Sequence, residues 1–116
     1  MIVLMSPNAI QRIHIVLAQL PQGTVVSYGQ LADLAGLPGR ARLAGTALKK
    51  LPAKSPLPWH CVLRSNGQLA FPQNSAAFIC QQKLLAREGI AVKNGRVDMK
   101  QYLWRPMLAE LLALEF

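Results

Sequence analysis

Gly36, Leu37, Pro38, Gly39 and Arg40 place two glycines and a proline within five residues, between two stretches of helical apolar spacing. No single helix runs through such a segment, because proline removes a backbone donor and glycine favours a turn. The chain is therefore predicted to make two short helices that meet at a tight corner. Before the corner, Ser27 is placed to cap a helix whose apolar face is Leu31, Leu34 and Ala35, with Gly36 closing it. After it, a helix is expected from Arg40 to Leu51, because Leu43, Ala44, Ala47, Leu48 and Leu51 share one side. Arg42, Thr46, Lys49 and Lys50 fall on the other. Two helices about a glycine turn, the second apolar on one face and basic on the other, make a helix-turn-helix pattern. An ordinary amphipathic helix with a solvated basic side fits the same spacing.

The rest of the chain supports a small, mainly helical fold of winged-helix type. Ser6 and Pro7 read as the start of a first helix carrying Ile10, Ile13, His14, Leu17 and Leu20. The three prolines of residues 51–58 predict an extended connector that delivers Trp59 and His60. Ser65-Asn66-Gly67 is a turn signal between Val62-Leu63 and residues 69–71, as for a small hairpin. Ser75 caps a further helix reaching Arg87, with Phe78, Ile79, Gln82 and Leu85 along it. Asn94-Gly95 marks a second hairpin, and residues 107–116 form a short amphipathic helix expected to pack on its own core.

A length of 116 residues and 52% hydrophobic content suit one domain, expected over residues 1–116. Thirteen Lys and Arg face five Asp and Glu, a net charge of +8, so a polyanion is the expected partner. Charge alone leaves DNA, RNA and an anionic membrane surface open. The apolar run at residues 1–5 lacks a basic flank and ends at Ser6-Pro7, so it does not read as a signal peptide, and no stretch is long enough to span a membrane. Cys61 and Cys80 could form at most one disulfide, and a reducing cytoplasm is the expected location. With His14 and His60 they show no zinc-ligand spacing, so neither metal nor cofactor is expected. Cys80 and Cys61 are both expected to be packing residues.

The motifs Val25–Lys50 (VVSYGQLADLAGLPGRARLAGTALKK) and Pro58–Val62 (PWHCV), in that order, resemble the DNA-binding domain of the O6-alkylguanine-DNA alkyltransferases. The similarity spans residues 5–92 and is closer to the alkyltransferase-like proteins, which lack the reactive cysteine. The enzymes read Pro-Cys-His-Arg-Val in this loop, and the cysteine takes the alkyl group from a flipped guanine. Trp59 stands in its place, and an indole cannot serve as that nucleophile. Cys61 falls where both groups carry arginine; in an extended segment it would lie roughly 6–7 Å along the chain from the reactive position, too far for attack.

The resemblance implies a non-enzymatic sensor that binds double-stranded DNA containing O6-alkylguanine, flips the nucleotide, and marks the site for nucleotide excision repair proteins. It implies minor-groove binding by the third helix, with Arg42 as an arginine finger filling the space of the extruded base. Tyr28, Leu48, Trp59, His60 and Val62 would line the lesion pocket. His60 and Glu88 would persist as a structural pair. Arg40, Thr46, Lys49, Lys50 and Lys54 are candidates for phosphate contacts. Related lids often carry an arginine, whereas residues 69–76 hold no basic side chain, which leaves Phe71 as the candidate stacking face. Two alternatives stand beside this reading: a suicide alkyltransferase using Cys61, and a winged-helix transcriptional regulator. A monomer is the expected state.

Overall fold

The computed structural model describes residues 7–114. Ser6 and the apolar run before it lie outside the described residues, as do residues 115 and 116. The first helix, α1 (Ala9–Ala18), begins two residues later than its sequence signal, because Asn8 forms the cap. Its side chain accepts from the Gln11 amide while the Gln11 side chain accepts from the Asn8 amide. Strand β1 (Val26–Ser27) leads into α2 (Tyr28–Leu34), where the Ser27 hydroxyl accepts from the Gln30 amide as expected. Gly36, at a φ of +76°, turns the chain out of α2 in the left-handed region that suits glycine. The corner then delivers α3 (Ala41–Lys49), which is shorter than its apolar spacing suggests, although Leu51 still packs on the core.

α1, α2 and α3 pack around Ile13, Val16, Leu17, Leu31, Ala32, Ala44 and Ala47, all buried. His14 Nε2–H donates to the Ala47 carbonyl at 2.7 Å, tying α1 to α3. Residues 51–58 hold one hydrogen-bonded turn and are not the extended connector expected. The Ser55 amide donates to Pro52 O, the Leu57 amide to the Ser55 hydroxyl, and Leu57 tucks into the helical core. Prolines exclude a helix here, but they favour turns as readily as extension.

A 3-10 turn (Trp59–Cys61) runs directly into β2 (Val62–Leu63). The hairpin expected about Ser65-Asn66-Gly67 does not form. Its turn does, with Arg64 N–H donating to Gln68 O, but β2 pairs in parallel with β1, Val26 opposite Val62 and Ser27 opposite Leu63. This pairing satisfies burial on both faces. Val26 and Val62 point to the helical core, whereas Leu63, like Val25, points to a second core with Leu69, Phe78, Leu85, Ile90 and Val97. The ribbon is the partition between the two.

Helix α4 (Ala76–Arg87), capped by Ser75, covers the second core with Phe78, Gln81 and Leu85. That face is rotated from the expected one: Ile79 is 42% exposed and Gln82 also faces out. Cys80 is exposed and not a packing residue, since it lies off the Phe78–Gln81–Leu85 stripe. Strands β3 (Val92–Lys93) and β4 (Arg96–Val97) make the expected hairpin, with Asn94 and Gly95 both at positive φ, as a two-residue turn of type I′ requires. Gly67 docks against this wing. A Cβ there would stand 2.2 Å from Val97 O, and the Gly67 carbonyl accepts from the Val97 amide.

After a short α5 (Met99–Tyr102), Trp104 is buried against the helical core, a role its sequence context did not signal. Its amide donates to Val25 O, and its carbonyl accepts from the Gln30 side chain. The last helix, α6 (Leu108–Leu112), packs less than expected: Met107, Leu108 and Leu112 are each more than 60% exposed, and Leu114 reaches the core. Among the described residues no helix is long and apolar enough to cross a membrane.

Candidate nucleic-acid interface

Burial of Ala44 and Ala47 fixes the rotation of α3, and that rotation leaves Arg42, Thr46, Lys49 and Lys50 exposed together. Arg40 is exposed at the helix start, where no side chain caps the first turn. The unpaired amides and the nearby cations make this end favourable for an anion. Thr46 donates its hydroxyl proton back to the Arg42 carbonyl at 3.2 Å, so that proton is engaged within the helix. Lys54 is exposed in the turn beyond α3.

Tyr28, the first residue of α2, is half-buried, and its ring lies 3.9 Å from where a Cβ on Gly45 of α3 would stand. Burial raises the Tyr28 pKa, and the Arg64 cation opposes part of the rise, so the phenol stays protonated and able to donate at neutral pH. Trp59 is half-buried in the 3-10 turn. Its ring meets Phe71 edge to face at 6.3 Å and His60 at 6.0 Å, two perpendicular contacts that hold the indole in place. Leu48 is partly buried against the helical core. Val62 departs from its expected place: its side chain is fully buried in the helical core, so it supports the loop from behind and does not form a pocket surface. Phe71 also lines an open cleft of about 440 Å³ with Arg64, Leu69, Gln73, Phe78 and Asn94.

Behind Trp59, the loop is anchored by a partly buried polar cluster. His60 Nε2–H donates to Glu88 Oε2, the Gly23 amide donates to Glu88 Oε1 at 2.9 Å, and Cys61 Sγ–H donates to Glu88 Oε2 at 3.4 Å. A ring nitrogen of His60, Cys61 Sγ and a Glu88 carboxylate oxygen lie within 4.8 Å of one another, so Cys61 joins the His60–Glu88 pair that the resemblance implied. Cys61 has no exposed surface. Burial, reinforced by the adjacent Glu88 carboxylate, pushes its thiol well above the usual range. It is thus a protonated donor inside the core and not a thiolate. The 3-10 turn replaces the extended geometry expected for residues 59–61 and sends Trp59 and Cys61 to different surroundings.

Burial tends to raise the Glu88 carboxyl, but the donors from Gly23, His60 and Cys61 outweigh it and hold the group below its ordinary value. A carboxyl depressed in the folded state adds stability that is present above the unfolded pKa and lost as pH falls through the folded one. Glu88→Gln should therefore lower the urea midpoint at pH 7, and its gap from wild type should close as pH falls below about 4. A gap that stays constant from pH 7 to pH 3 would show that the carboxylate charge contributes nothing.

Residues 8–90 match the family described as 6-O-methylguanine DNA methyltransferase, DNA binding domain. The chain is 38% identical over 95 residues to the DNA base-flipping protein of Escherichia coli K12, covering 81% of this chain and 72% of that protein. It superposes on the crystal structure of Schizosaccharomyces pombe Atl1 in complex with damaged DNA containing O6-carboxymethylguanine with a TM-score of 0.77, at 28% identity, covering 84% of this chain and 94% of that one. Mycobacterium tuberculosis OGT in complex with DNA aligns with a TM-score of 0.61 and 31% identity, covering 72% of this chain and 51% of that one. The chain therefore belongs to the 6-O-methylguanine DNA methyltransferase DNA-binding-domain family.

Proposed function

We propose that the protein recognises O6-alkylguanine in double-stranded DNA without chemistry, by laying α3 in the minor groove and extruding the damaged nucleotide toward Trp59. The observation that carries this reading is the loop itself. An indole, held edge to face by Phe71, stands where the enzymes' nucleophile is expected, and the neighbouring Cys61 thiol is buried and protonated. Alkyl transfer needs an accessible thiolate within about 3–3.5 Å of the alkyl carbon, and Cys61 offers neither charge nor access. Similarity to a DNA base-flipping protein and to an alkyltransferase-like protein agrees with binding and flipping.

In this reading Arg42 enters the stack, Arg40, Lys49, Lys50 and Lys54 meet phosphates, and Tyr28, Leu48, Trp59 and Phe71 border the extruded base. Thr46 joins the phosphate contacts only if its hydroxyl leaves the Arg42 carbonyl. A damaged pair opens at lower cost than an intact one, so part of the selectivity arises before any pocket contact forms. The protein then acts as a monomer in the cytoplasm and marks the lesion for nucleotide excision repair.

The deciding experiment mixes the protein with a duplex carrying one O6-methylguanine and records both affinity and intact protein mass. Tighter binding than to unmodified guanine, by about tenfold or more, with unchanged mass is the expected result. A gain of one methyl on Cys61 would make the protein an alkyltransferase instead.

A further inference from the structure

The parallel register of β1 and β2 ends both strands on the same side, so the next residue of each, Tyr28 and Arg64, leaves the ribbon side by side. Tyr28 turns at once into α2. Arg64 enters the 64–68 turn, where its amide is held by Gln68 O at 3.0 Å while its side chain remains exposed. Its guanidinium makes no hydrogen bond or ion pair to the described residues. It lines the cleft that also holds Phe71, and Phe71 in turn packs on Trp59. The cleft lining contains no carboxylate, so the cation there is not neutralised by its surroundings. The Arg64 cation opposes the rise that burial gives the Tyr28 pKa, in keeping with a register that sets the two residues side by side.

We propose that Arg64, set beside Tyr28 by the strand register, forms an anion subsite at the edge of the lesion pocket, taking a negatively charged oxygen group of the flipped nucleotide. The proposal rests on the lesion-binding reading above. Two sources share that chemistry: a carboxylate carried on the O6 substituent, and the nucleotide's own backbone phosphate. Arginine suits either, since its planar fork pairs with two oxygens at once. The basic residue absent from residues 69–76 is thus supplied by the turn that precedes them, and Arg64 becomes a determinant of which adducts are held.

The test titrates wild type and Arg64→Gln against four duplexes by fluorescence anisotropy. These carry unmodified guanine, O6-methylguanine, O6-carboxymethylguanine, or O6-methylguanine flanked on its 3′ side by an uncharged methylphosphonate linkage. Arg64 is exposed and held only through its backbone, so the variant should fold as wild type does, which circular dichroism can verify. Losing one charge-assisted contact should weaken lesion binding about tenfold, with a loss of under about threefold on unmodified DNA. A loss confined to the carboxymethyl duplex assigns the adduct carboxylate. A loss shared by both lesions but cancelled by the neutral linkage assigns the phosphate. Equal losses on damaged and unmodified DNA, a methyl-lesion loss that survives the neutral linkage, or no loss anywhere would overturn the subsite. A wild type that binds all four duplexes equally would sink the lesion-binding reading itself.

Discussion

Arg42→Ala will weaken binding to a duplex carrying O6-methylguanine about thirtyfold, whereas Lys49→Ala will cost only about threefold. Both side chains are exposed on α3, so neither truncation opens the core. The difference comes from where each acts. An extruded base leaves a gap in the stack and an orphaned partner, at a cost of a few kcal/mol. A guanidinium inserted there restores contact with the neighbouring bases and donates to the orphan; thirtyfold corresponds to about 2 kcal/mol of that cost. Lys49 in this scheme meets a phosphate, one of several such contacts, and each contributes a modest, salt-dependent share. The Thr46 back-bond to the Arg42 carbonyl is unaffected by truncating the side chain, so the helix should persist. Anisotropy titrations at fixed salt decide the matter. Equal losses in the two variants would remove the finger role from Arg42.

Gln81→Ala will destabilise the fold by about 3 kcal/mol, read as a shift of the urea midpoint at pH 7. Gln81 is only 1% exposed, and its Nε2 donates to His60 O at 3.0 Å and to Val62 O at 3.4 Å. It therefore clamps the Trp59–Cys61 turn and the start of β2 onto α4. Truncation would remove the donor, leave two carbonyls short of a partner and open space between α4 and the loop. Because that loop carries Trp59, lesion affinity should fall with stability. A cost under about 1 kcal/mol would mean that water or a shift of the helix replaces the clamp.

The contrast between Gln81 and Gln82 shows where sequence reading stopped. The sequence reading puts Phe78, Ile79, Gln82 and Leu85 along α4 and offers no reason to turn Gln81 inward in place of Gln82. Gln81 is inside because carbonyls from residues 60 and 62 await it, and those come from a segment some twenty positions away in the chain. Of the two cysteines expected to pack, only Cys61 does, for a similar reason. Cys80, on the helix, proved exposed, while Cys61 is buried beside a carboxylate from the far end of α4. The Val62–Leu63 hairpin failed on the same ground. The local turn signal was correct, but two buried faces required a partner strand that could separate two cores, and β1 met that need.

Local chemistry was enough to determine the caps at Ser27 and Ser75, the corner at Gly36, the Asn94-Gly95 hairpin and the exposed basic face of α3, since each depends on interactions a few residues long. The order of the Tyr28, Pro-Gly and Trp59 motifs likewise carried the family. Tertiary structure alone decided that Gly23 and Cys61 join Glu88 beside the His60 pairing that the resemblance implied, that Val62 is buried in the helical core, and that Trp104 completes that core. It also placed Arg64 next to Tyr28, 36 positions apart by number, because strand register brings their ends together. Buried polar groups must find partners wherever the fold supplies them, and those partners have no fixed spacing in sequence.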